Sequence, residues 1–131
     1  MKISRFATDL GLEEDGVWMD IGDGASLKVA RVGNPRYRKR IAQLTKPYKR
    51  QIRSDTLPED LSDELVLKAF SETILLDWKG IEDDKGKAIK YSQEAAYKLL
   101  SGLRDFRSLV AEIAMEQEAF RAEEAEAEGK S

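Results

Sequence analysis

Apolar and polar positions alternate over Val17–Ile21 (VWMDI) and again over Ser26–Val32 (SLKVARV), with Gly-Asp-Gly-Ala between them. This period-two pattern predicts a β-hairpin over residues 17–33, in which Gly22 and Gly24 supply the positive φ of a tight connection. A lone hairpin is marginal in water, so it has to pack on a body or pair with another chain. An open strand edge makes Val17, Trp18, Leu27 and Val29 the candidates for self-association. Residues 1–16 carry little periodicity and are expected to be loose.

The period changes at Asn34-Pro35, an N-cap followed by proline at the first helical position. Tyr37, Ile41, Leu44, Tyr48 and Ile52 then recur at spacings of four and three, the stripe of an amphipathic helix. Pro47 lies inside the pattern and should kink or split it. Two start signals come next: Thr56 with Glu59 at capping-box spacing, and Ser62 ahead of Asp63 and Glu64. Leu61, Leu65, Ala69, Phe70, Ile74 and Asp77/Trp78 then predict a helix that ends at Lys79-Gly80. Around Asp84-Lys85-Gly86 the chain forms either a small hairpin or an ordered loop. Ser92 caps a further helix with its stripe at Ala96, Leu99, Leu100 and Leu103, and Gly102 ends it. Asp105 caps a last helix running through Phe120. Residues 121–131 have helix propensity without an apolar face, which predicts a flexible acidic tail. The expected fold class is mainly α, about four helices with an N-terminal β-hairpin, in one domain over residues 1–131.

Composition narrows the chemistry. The 131 residues are 41% hydrophobic and 36% charged, so a core can form despite the charge. Cys and His are both absent, which removes disulfides, the commonest zinc ligands and the commonest general base. Gly129-Lys130-Ser131 has the ending of a phosphate-binding loop, but Glu124 stands where that motif needs glycine. Glu82, Asp83 and Asp84 do not meet the ligand spacing of a Ca²⁺ loop, because Gly86 or Lys85 falls where oxygen is required. No catalytic residue, metal or cofactor is expected, and the protein is read as a binding protein rather than an enzyme. No apolar run approaches the ~20 residues of a membrane span. A soluble, intracellular chain, away from membranes, is the expectation.

Net charge is −3, but it is unevenly placed. Nine bases and no acid lie between Arg31 and Arg53, whereas Glu112–Ser131 holds seven acids and two bases. Arg36, Arg38, Lys39, Arg40, Lys49 and Arg50 are therefore candidates for binding a partner. One reading of this surface is a nucleic-acid-binding module using residues 31–53. The other is a surface that faces protein or solvent, which the acidic pI favours. Trp18 and Trp78 are read as core or interface anchors.

The segment LLDWKGIEDDKGKAIKYSQEAAYKLL, continued by SGLRDFRSLVAEIAMEQEAF, resembles the tail assembly chaperones of long-tailed phages. The likeness rests on Trp78 and Gly80, the loop from Asp83 to Gly86, Tyr91, the Ser92 cap, Glu94 to Ala96, Leu99-Leu100 and Asp105-Phe106. It covers roughly residues 70–120, under half of the chain. The resemblance implies a protein that binds and solubilises the tape measure protein, helps recruit tail tube protein subunits around it, and is absent from the mature virion. It implies a homo-oligomer in the host cell cytoplasm and adds Trp78 and Tyr91 to the partner-binding candidates. It also implies two products, the longer made by translational frameshift. The present chain would be the short form, and Glu128-Gly129-Lys130 can be encoded as GAG-GGA-AAG, a slippery string. A structural tail component that stays in the particle is the alternative within phage biology.

Overall fold

The computed structural model describes residues 1–116 and 118–121. A three-stranded antiparallel sheet is built from β1 (Val17–Gly22), β2 (Ala25–Val29) and β3 (Leu75–Lys79), in the order β1-β2-β3. The first two strands are the expected hairpin. Its turn has positive φ at Asp23 and Gly24, 55° and 76°, the signature of a type I′ connection. Gly22, at φ 90°, takes up the irregularity in register beside it. In cross-strand register, Leu27 lies opposite Met19 on one side and Trp78 on the other, and Val29 lies opposite Val17 and Leu75.

Helices cover one face of this sheet. They are α4 (Glu59–Thr73), α5 (Gln93–Gly102) and α6 (Arg104–Met115). Their buried side chains, among them Phe70, Ala96, Leu100, Val110 and Ile113, join Leu27, Val29, Ile74 and Trp78 in a single core. The other sheet face carries Trp18, Asp20, Ser26 and Lys28, as expected of an antiparallel sheet with one wet side. There the Lys79 ammonium sits 4.3 Å from the centroid of the Trp18 ring.

The helix expected to run to Lys79 stops at Thr73, and the chain passes through Ile74 into β3. The apolar spacing of Ile74, Leu75 and Trp78 suits either structure, and the tertiary setting decides. β2 has a second edge to satisfy, and the Ala30 amide donates to the Ile74 carbonyl at 2.8 Å where the chain turns into the sheet. Thr73 Oγ1 bonds back to the Ala69 carbonyl at 2.7 Å, in the manner of hydroxyl side chains in a last turn. Lys79-Gly80 therefore ends a strand, not a helix.

Residues 1–16 also depart from expectation. They hold a 3₁₀ turn at Ile3–Phe6 and the short helix α1 (Leu10–Asp15), capped by Asp9. The cause is tertiary: the Glu13 carbonyl accepts from the Arg31 amide and the Asp9 amide donates to the Phe120 carbonyl. Phe120 is fully buried but lies in a 3₁₀ turn, since α6 ends at Met115. Neither Thr56 nor Ser62 caps α4, which begins after Pro58 without a side-chain cap, and Asp105 lies inside the first turn of α6 instead of capping it. The tail expectation for residues 122–131 lies outside the described residues.

Candidate functional site

Two features stand out: a corner at the end of β3, and a helical arm carrying the basic residues. The corner holds Trp78, Gly80, the loop from Asp83 to Gly86 and Tyr91, part of the set that gave the resemblance. Trp78 is only 5% exposed, and its indole N–H donates to the Ile89 carbonyl at 2.7 Å. Its ring meets Tyr91 edge to face at 5.0 Å, and the Tyr91 hydroxyl donates to the Leu75 carbonyl at 2.6 Å. Residues 81–91 are thus a strap folded back along β3. The strap is itself a small hairpin, with the Ile89 amide bonded to the Ile81 carbonyl. Asp83 Oδ1 accepts from the Lys85 and Lys87 amides, so this acid builds the turn. Gly80 has φ 73°, and a Cβ there would run into the Gly24 carbonyl oxygen. Burial pushes the Tyr91 hydroxyl above its ordinary pKa, and the nearby Asp77 charge adds to the shift.

This placement changes the roles of several candidates. Trp78 and Tyr91, expected to bind a partner, are held within the chain by packing and hydrogen bonds. Leu27 and Val29, expected to take part in self-association, are fully buried in the core under the helices, and β3 pairs with the β2 edge that a bare hairpin would expose. Val17 is half-buried on β1, and Trp18, 41% exposed, lies on the wet face.

The arm consists of α2 (Pro35–Thr45), a 3₁₀ turn at Lys46–Tyr48 and α3 (Lys49–Arg53), followed by the return into α4. Asn34 caps α2 by accepting from the Tyr37 amide at 3.1 Å, and Pro47 splits the helix, both as the sequence predicts. Tyr37 packs edge to face on Phe70 at 5.7 Å, and its burial raises its pKa. Arg40 grips Glu72 on α4 with two hydrogen bonds, 2.5 and 3.3 Å. Arg31 and Arg36 pair with Glu13 and Glu14 at 2.6 and 3.2 Å. The basic candidates therefore divide into two groups. Arg36 and Arg40 are engaged within the chain. Arg38, Lys39, Lys49 and Arg50 are exposed and, among the described residues, make no salt bridge.

The apolar seam between arm and body was not marked by the sequence pattern alone. Leu44, Tyr48, Leu61, Leu65 and Tyr97 line a groove of about 490 Å³ together with Glu64 and Glu94. Its signal was present in the α2 stripe, which continues past Pro47 where little remains to bury it.

A family model described as YdaY prophage protein matches residues 32–130. The chain belongs to the YdaY prophage protein family. It is thereby a phage-derived protein. The matched region takes in the arm, all three helices over the sheet, β3 and the strap, and leaves out β1 and β2. No curated protein matches the chain, and no solved structure does.

Proposed function

We propose that this member of the YdaY prophage protein family acts as a tail assembly chaperone. It binds and solubilises the tape measure protein, helps recruit tail tube subunits, and leaves before the virion is complete. The observation that carries this reading is the segment around residues 70–120. Its Trp78, Gly80, Tyr91 and Ser92 form one folded corner within the region shared with a phage protein family. The arm supports it from another direction. A chaperone for a long amphipathic protein needs charged and apolar surface side by side, repeated over many subunits, so that weak contacts add. Arg38, Lys39, Lys49 and Arg50 supply the charge, and the groove between arm and body supplies the apolar part.

The test is co-expression with the tape measure protein of the same prophage. The expected result is soluble tape measure protein that co-purifies with this chain, together with its absence from purified particles by mass spectrometry. A tape measure protein that stays insoluble and unbound overturns the reading. Presence of the chain in finished particles would make it a structural tail component.

A further inference from the structure

Among the described residues, unpaired charges of opposite sign lie on neighbouring elements, bases at the tip of the arm and acids on the start of α4. At the tip every residue from 49 to 56 is exposed. Lys49, Arg50 and Arg53 lie there with Ile52, which is 45% exposed and has no core to enter. Behind the tip, the first turns of α4 face a groove of about 580 Å³ toward α5 and α6. Asp60, Asp63 and Glu64 line it, over an apolar floor that includes Leu61 and Tyr97. Arg107 also borders this groove, but its guanidinium donates to the Leu100 and Ser101 carbonyls at 2.9 and 3.2 Å. Among the described residues, none of the three tip cations and none of the three groove acids makes a salt bridge.

We infer that the basic tip of one chain docks into the acidic groove of a second copy, with Ile52 set against the apolar floor. Charge complementarity selects the occupant. A nucleic acid would satisfy the tip cations and leave the groove acids unmatched. An acidic peptide would satisfy the tip and leave the groove acids unmatched. A second copy satisfies both surfaces through the same contact, the requirement for a self-complementary interface. The association needs no hydrophobic patch beyond Ile52 and the groove floor. The contact is consequently salt-sensitive, because exposed charges are screened over about 8 Å at physiological ionic strength. It stands independently of the chaperone reading.

The test is the oligomeric state of the full chain by analytical ultracentrifugation at low and high salt. The expected result is concentration-dependent association that weakens as salt rises. Arg50→Glu with Arg53→Glu should weaken it about tenfold or more, because two attractions become repulsions. Asp60→Arg with Asp63→Arg should do the same. All four sites are exposed, so circular dichroism should be unchanged. Mixing the two double variants should restore association, since each then carries the complement of the other. A chain that stays monomeric at low salt overturns the inference. So does association that ignores both charge reversals, or a mixture that fails to recover. A monomer whose tip variant loses salt-dependent binding to duplex DNA would overturn it in favour of a polyanion at the tip.

Discussion

The indole nitrogen of Trp78 donates its proton to the backbone carbonyl of Ile89, eleven residues on, at 2.7 Å. One side chain thereby ties β3 to the strap and completes the edge of the core. Trp78→Phe keeps most of the apolar volume and leaves the Ile89 carbonyl without this donor, at a cost of about 1–2 kcal/mol. Trp78→Ala also opens a cavity, and about 3–5 kcal/mol is expected for a large aromatic truncated to alanine. Urea unfolding should rank the variants in that order. Hydrogen exchange should show residues 81–91 losing protection before α4–α6 in the Phe variant.

Gly80 is constrained twice. Its φ of 73° lies in the left-handed region, and the Gly24 carbonyl occupies the space a Cβ would need. Gly80→Ala should destabilise by about 2 kcal/mol or more, since strain and a backbone clash act together. Gly86 also has positive φ, 80°, but its added Cβ would meet only the end of the flexible Glu82 side chain, at 3.5 Å. Gly86→Ala should therefore cost less than Gly80→Ala. Equal midpoints in thermal melts would remove the steric part of this account.

Where local signals were strong, the sequence was readable. Gly22 and Gly24, Asn34-Pro35, Pro47 and Ser92 each act through their own backbone neighbours, and each does what its chemistry predicts. β3 was not readable, because Leu75–Lys79 fits a helical stripe as well as a strand. The deciding partner is Ala30, more than forty residues earlier. The same distance hides the roles of Trp78 and Tyr91. Their positions were legible as a motif, but only the strap shows that both are turned inward. Of the basic residues, charge clustering found the whole group, yet only the positions of Glu13, Glu14 and Glu72 separate those engaged within the chain from those exposed.

Tyr91 gives a prediction in pH. Its folded-state pKa is raised above the model-compound value of 10.0, first by burial and then by Asp77. The folded protein therefore holds this proton more tightly than the unfolded chain does. Its contribution to stability is fully present below pH 10.0 and is lost as pH rises through the higher folded value. Tyr37 adds in the same direction through burial. Tyr91→Phe removes the bond to the Leu75 carbonyl, costing about 1 kcal/mol at neutral pH. It should also flatten the loss of stability in the alkaline limb. A variant whose alkaline limb matches that of the parent would show that Tyr91 titrates as it does in the unfolded chain.

The two groups of arginines on α2 should separate stability from binding. Arg40 is half-buried and bidentate on Glu72, which fixes the arm to α4. Arg40→Ala should cost about 0.5–1 kcal/mol, and Arg40→Lys should recover only part of it, since an ammonium cannot reproduce the paired geometry. Arg38 and Lys39 sit on the same helix without such partners among the described residues. Arg38→Glu with Lys39→Glu should leave the melting midpoint close to that of the parent, within about 0.5 kcal/mol of stability. In the co-expression experiment the same pair should reduce recovery of the tape measure protein, while Arg40→Lys should not. Loss of the partner with Arg40→Lys alone would mean that the attitude of the arm, not its exposed charge, governs binding. Full recovery with both charges reversed would move the binding surface off α2 and toward the apolar groove lined by Leu44, Tyr48 and Tyr97.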